Sequence, residues 1–246
     1  MDRRVYQQML AVEDYHWWFR GRRAVIGAVL ASVAARNGNE SVVLDAGCGS
    51  GGNLGVYTGF GPVMGVDTEP GALGQSRRRG YRGVAVASLA GLPFRDGAFE
   101  LVAATDVVEH VEDDLGALQE LSRVTRPGGH MLLTVPAYRL LWSDSDVQLG
   151  HHRRYTRAQL EGQCRSAGWT VARTSYFNAT LLPAIAAVRW VRQRRGQPMA
   201  ATELEQTGPV ANRLLRLPLA AEARLVKAGV ALPAGVSIVS LCVKPA

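Results

Sequence analysis

Lysine is almost missing from this chain. Lys227 and Lys244 are the only two among 28 basic residues, so 26 are arginine. The bias reads as genomic base composition rather than as function. Against 21 acidic residues it leaves a formal net charge of +7, but the arginines are scattered, apart from short runs at 77–79 and 189–195. A nucleic-acid face clusters its charge with stacking aromatics. No such cluster is visible, so no nucleic-acid partner is expected. Cysteine is scarce too. Cys48, Cys164 and Cys242 are odd in number, widely spaced and without a CxxC pair, which excludes a disulfide framework and a cysteine zinc site. Long apolar runs are missing: the longest, 179–191, is interrupted by Pro183 and Arg189 and falls short of the ~20 residues a bilayer span needs. The opening MDRRVYQQML lacks the apolar core of a secretory signal. A reduced, cytoplasmic location is the expectation.

What remains is ordinary globular material. At 246 residues, 47% hydrophobic and 20% charged, the chain is sized for one domain, or one domain with an elaboration. Short apolar runs at 41–44, 62–66, 83–87, 99–104 and 130–135 read as strands. Helical patterns lie between them. The pattern at 70–79 opens with Pro70. That at 113–124 places Leu115, Leu118, Leu121 and Val124 on one side and is stopped by RPGG. That at 156–167 is capped by Thr156 and closed by Gly168. Alternation at this spacing predicts a doubly wound α/β sheet. Two further strands are predicted at 170–177 and 237–243. The apolar-basic segment between them, 178–236, is far longer than a turn and reads as an insertion, with Pro183, Pro218 and Pro233 dividing it into short helices.

The strongest chemical signal is VVLDAGCGSGG at 42–52. A buried strand ends at Asp45 and glycines crowd the turn, where main chain can approach a ligand closely and the next helix offers unpaired N–H groups. Alone, such a loop equally suits a nicotinamide or flavin protein. An NAD-dependent dehydrogenase is therefore the rival reading. Asp67, ending the second strand, stands where acids in nucleotide-binding sheets hold ribose hydroxyls. The plainer alternative is a turn or cap residue at both acidic positions.

Taken in order, LDAGCGSGG, GVD, LPFRDGAFELV, TDVVEHV, RVTRPGGHMLLTVP and YTRAQLEGQCRSAGW resemble the successive motifs of class I S-adenosylmethionine-dependent methyltransferases, over about 41–169. The resemblance implies a seven-stranded Rossmann-like sheet with an antiparallel last strand, which suits SIVSLCV. It implies S-adenosylmethionine as cofactor. It places Asp45, Ala46, Gly47 and Gly49 at the methionine end, Asp67 and Thr68 at the ribose, Ser88 and Leu89 beside adenine, and Thr105, Asp106 and Val107 beneath the sulfonium. Ser88 stands where this family often has an acid.

Two other stretches gain meaning beside it. HWWFRGRR, 16–23, resembles an N-terminal signature of a subgroup of bacterial methyltransferases. Trp17 and Trp18 would close over the cofactor and exclude water, and Arg23, with Arg20 and Arg22 as alternatives, would clamp its carboxylate. The alternative is a helix that uses its tryptophans as core. DSDVQLGHHRRYT, 144–156, follows the fifth strand and supplies His151, His152 and Tyr155. His110 follows the fourth strand. A histidine there suits removal of a proton from an acceptor hydroxyl, so O-methylation is the preferred transfer. Asp144, Asp146 and His151 match no metal-ligand spacing, and no metal is expected. The division expected is a helical lid at 1–40, a core at 41–177 and 237–246, and a helical insertion at 178–236. That insertion could cap the substrate, pair two copies or lie on a membrane surface. The acceptor expected is a small molecule or a lipid- or sugar-linked intermediate of bacterial metabolism. Cyclisation or other non-methylating chemistry, and a non-catalytic cofactor-binding role, are the rival functions.

Overall fold

The computed structural model describes residues 9–34, 42–194 and 207–246. The expectations for 1–8, 35–41 and 195–206 lie outside the described residues. Seven strands form one sheet: β1 (Val43–Ala46), β2 (Val63–Asp67), β3 (Gly83–Val86), β4 (Phe99–Thr105), β5 (Thr125–Pro136), β6 (Thr170–Phe177) and β7 (Ser237–Val243). Their order is β3-β2-β1-β4-β5-β7-β6. β1, β2, β3, β4 and β5 pair in parallel, and β7 runs antiparallel between β5 and β6.

Side chains of successive strand residues point to opposite faces, and both faces are apolar. Leu44, Val102, Met131 and Leu133 face one core, covered by α4 (Asp114–Val124) and α6 (Arg157–Ser166) through Leu118, Leu121 and Leu160. Val43, Leu101, Leu132 and Val239 face the other, covered by α1 (Trp17–Ala34), by the short α2 (Leu54–Tyr57) and by α3 (Pro70–Arg79). Burial on both sides explains why these strands read as continuous apolar runs. Thr156 caps α6 in a reciprocal capping box with Gln159.

Two expectations change. RPGG does follow the end of α4, but it belongs to β5, and the pairing with β4 shifts register between Phe99 and Leu101. Pro218 does not divide the insertion. It sits inside α8 (Pro209–Lys227), which follows α7 (Leu182–Arg194). A mid-helix proline loses one backbone hydrogen bond. The packing beside it compensates: Leu219, Ala223 and Val226 are buried, and α8 lies along α1. Gly21 permits that approach, since a Cβ there would stand 2.3 Å from Leu219 Cδ2. α5 (Asp144–Leu149) completes the helices used below. Among the described residues no helix is long and apolar enough to cross a membrane.

Candidate functional site

The strand order reverses between β1 and β4, and open α/β sheets bind ligands beyond the carboxyl ends of strands at such a point. A cleft of about 1550 Å³ opens there. Gly47 turns the chain out of β1 with φ +80°, and a Cβ on it would come 2.3 Å from Val107 Cγ2. The Gly49 N–H donates to Asp67 Oδ2 at 2.8 Å, and the Glu69 N–H donates to Oδ1 at 2.9 Å. Asp67 is thereby fixed at the rim while each oxygen keeps a second lone pair. Thr68, Ser88 and Leu89 line the same side, with Ser88 Oγ accepting from the Ala90 N–H at 3.2 Å. Thr105, Asp106 and Val107 form the floor. Asp106 adopts φ 56° and accepts from Thr134 Oγ1 at 3.0 Å.

Three expected residues stand elsewhere. Asp45 and Ala46 are fully buried beneath the loop rather than on the cleft wall, because a strand residue buried between sheet neighbours cannot also face the opening. Asp45 accepts a 2.5 Å hydrogen bond from the Tyr81 hydroxyl. Burial pushes its carboxyl up to about 7, against the pull of that bond. Tyr155 packs in the core and donates from its hydroxyl to Asp114 at 2.8 Å. The backbone of β5 claims it: its N–H donates to Pro136 O and its carbonyl accepts from the Tyr138 N–H.

Part of the tryptophan stretch borders the cleft and part packs as core. Trp17, Trp18 and Arg23 line the cleft, with Arg22 beside them. Trp18 also stacks on Phe177 at 5.8 Å, and the Trp17 N–H donates to Asn212 Oδ1 of α8 at 2.8 Å. Further along α1, Val25, Ile26, Val29, Leu30 and Val33 are sheet core. Arg22 is ion-paired with Asp106, and Arg23 Nη2 donates to the Glu13 carbonyl at 2.8 Å. Arg20 is exposed and is not among the cleft-lining residues.

Another part of the cleft is a histidine edge. His110, His151 and His152 all line the cleft, and the rings of His110 and His151 meet edge to face with centroids 4.6 Å apart. His151 Nδ1 lies 2.8 Å from Asp146 Oδ1. Asp146 also takes two hydrogen bonds from Arg154, at 2.7 and 3.0 Å, and one from the Ser143 N–H. Burial alone would raise the Asp146 carboxyl, but the bonds from His151 and Arg154 outweigh it and hold it below the usual range. Burial, aided by the neighbouring His151, pushes His110 down to about 4. Beside these rings lies Glu109, fully buried, its carboxyl pushed well up by burial and by the charge of Asp106.

Several residues that build the site escaped the sequence reading. Glu13 accepts from Ser50 Oγ at 2.6 Å and from Arg79 Nη2 at 2.7 Å, tying the N-terminal segment to the glycine loop. Asn53 donates to Thr105 Oγ1 at 2.9 Å. Asp146, weighed from the sequence only as a metal ligand, is the hub of the histidine loop. A lone Glu or Asn carries no pattern, and the glutamate in EHV lay next to a residue already singled out.

Residues 44–133 match the sequence profile of a family described as "Methyltransferase domain". A protein of Mycolicibacterium smegmatis named "Probable S-adenosylmethionine-dependent methyltransferase" is 31% identical over 170 residues, 67% of this chain and 63% of that protein. A Mycobacterium tuberculosis protein with the same description is 30% identical over 180 residues, 70% of this chain and 62% of that one. An uncharacterised transposon protein of Streptomyces fradiae is 33% identical over 161 residues, 44% of its own length. The chain thus spans between 44% and 63% of these three curated relatives. Among solved structures, a Haemonchus contortus phosphoethanolamine N-methyltransferase with bound S-adenosyl-L-methionine superposes with a TM-score of 0.58 at 18% identity, over 89% of this chain and 52% of that one. The [4+2]-cyclase SpnF gives 0.57 at 20% identity, over 89% of this chain and 80% of that one. Both carry the same fold. Residues 44–133 of this chain thus resemble a methyltransferase domain, in a chain similar to proteins described as probable S-adenosylmethionine-dependent methyltransferases.

Proposed function

We propose that the chain transfers a methyl group from S-adenosylmethionine to an oxygen of a small-molecule, lipid-linked or sugar-linked acceptor, assisted by the histidine edge, in the bacterial cytoplasm. One observation carries the reading: the glycine loop with Asp67 and the three histidines open onto a single cleft. The residues present suit the cofactor. No atom lies within 4 Å of where a Gly49 Cβ would stand, which leaves a cradle above the loop. Asn53 Oδ1 is buried without a partner among the described residues, an acceptor suited to an ammonium group. Asp67 would take the ribose hydroxyls and Arg23 the carboxylate, with Ser88 and Leu89 flanking adenine. Trp17 and Trp18 would cover the site. When bound, the cofactor supplies an electrophilic methyl on a sulfonium, so orientation and help with the acceptor's proton are what the protein must add.

Described residues of the expected lid and of the expected insertion line this cleft. Leu181, Ala184, Ile185, Val188 and Leu215 line it, which supports the cap reading. Trp190, Val210, Leu214 and Leu217 are exposed, which supports an acceptor delivered on an apolar carrier at a membrane surface or across a paired copy. Mass spectrometry of metabolites from strains with and without the gene tests the function. The expected result is a compound lost with the gene and an accumulating partner lighter by one methylene unit. Loss of a product with no methylene difference would favour non-methylating chemistry instead.

A further inference from the structure

We propose that Glu109, His110 and His151 bind one divalent first-row transition-metal ion at the histidine edge of the cleft. The three come from two separate places in the chain: Glu109 and His110 from the single 3₁₀ turn after β4, His151 from the loop after α5. In the fold, one ligand atom from each lies within 4.8 Å of the other two.

Three further features make this a built site. Each imidazole has its Nδ1 engaged, His110 with the Gly150 carbonyl at 3.3 Å and His151 with Asp146. An imidazole that donates from Nδ1 to a carbonyl or carboxylate presents the Nε2 lone pair, the arrangement by which metal-binding histidines are oriented. Glu109 supplies the second observation. Its side chain is fully buried, and neither Oε1 nor Oε2 has a hydrogen-bond partner among the described residues. An ionised carboxylate left so is costly, and a cation or a proton must compensate it. Finally, Asp146 is itself pinned by Arg154 and Ser143, so the His151 ring is held from behind.

Two imidazoles and one carboxylate favour ions such as Zn²⁺, Mn²⁺ or Fe²⁺ over Mg²⁺ and Ca²⁺, which prefer all-oxygen sets. Three protein ligands leave a position toward the cleft for a substrate atom. The role of the ion rests on the methyl-transfer reading; its binding does not. An acceptor hydroxyl or enol oxygen coordinated there would lose its proton more readily. That oxygen forms the new C–O bond as the C–S bond breaks, the electron pair remains on sulfur, and the proton leaves to water at the cleft mouth. The acceptor class is therefore a molecule with an ionisable oxygen that can reach a metal.

The test uses untagged, full-length protein freed of metal with a chelator, titrated with Zn²⁺ by calorimetry and with Co²⁺ by visible absorption, with no cofactor or acceptor present. The expected result is one saturable equivalent with the absorption of an imidazole-bound Co²⁺. His110→Ala, His151→Ala and Glu109→Gln should each weaken binding at least about tenfold, Asp146→Asn about 10- to 100-fold, and His152→Ala not at all. Thermal melts and S-adenosylhomocysteine binding report whether each variant is folded. No stoichiometric binding by the wild type, or undiminished binding by folded His110→Ala and His151→Ala, overturns the site. A protein that binds the ion as expected but transfers no methyl group keeps the site and overturns the transfer reading.

Discussion

At one rim of the cleft, Gly47, Gly49 and Asp67 are placed by main chain: a positive φ, a turn leaving β1, and two backbone N–H groups on one carboxylate. At the histidine edge, His110 meets the Gly150 carbonyl 40 residues on, and His151 meets Asp146, itself held by Arg154. The first rim is made by local geometry and tolerates few residue types. The second is a network whose members are individually ordinary.

That contrast can be broken by mutation. The largest effect is expected at the network rim. His151→Ala should lower methyl-transfer turnover by about 10²–10⁴-fold while leaving S-adenosylhomocysteine affinity unchanged, as read by steady-state kinetics beside calorimetry. Next comes the backbone rim. Asp67→Ala removes a charged acceptor from the ribose position and should cost about 1.5–3 kcal/mol of cofactor affinity, measured by the same titration. A drop in affinity at His151 equal to that at Asp67 would erase the division between the rims.

Smaller effects sharpen how the seat is supported. Gly21→Ala forces a methyl against Leu219 and should destabilise the α1–α8 pair by about 1–3 kcal/mol in denaturant unfolding, lowering protection of the N-terminal segment from protease. Asp45 gives a pH signature. Its folded pKa of about 7 exceeds the ordinary aspartate value of 3.8, so the native state holds this proton more tightly than the unfolded chain. Its contribution to stability is fully present below about 4 and is lost as pH rises toward 7. Unfolding curves across that range should show Asp45→Asn, which keeps an acceptor for Tyr81, losing less stability with rising pH than the wild type.

The seven strands and the helices α3, α4 and α6 were legible because burial on both faces leaves apolar runs, and because Pro70, Asp113 and Thr156 mark helix starts. The glycine loop was legible because only glycine suits Gly47. The burial of Asp45 was not legible because sequence adjacency to a loop says nothing of which way a strand residue points. The core position of Tyr155 was not legible because the register of the chain alongside β5 is a tertiary fact. Pro218 misled because packing against α1 overrides local propensity. The Glu109–His110–His151 cluster was invisible because no spacing rule links an EH pair to a histidine 41 residues later.

The most direct test of the account supplies the purified protein with S-adenosylmethionine carrying an isotopically labelled methyl group, together with a small-molecule extract from cells lacking the gene. The account predicts label in one extract compound, with S-adenosylhomocysteine formed in equal amount, and loss of both in the His151→Ala protein. Saturable cofactor binding with no label leaving the cofactor for any compound in an extract that contains the accumulated acceptor would contradict it.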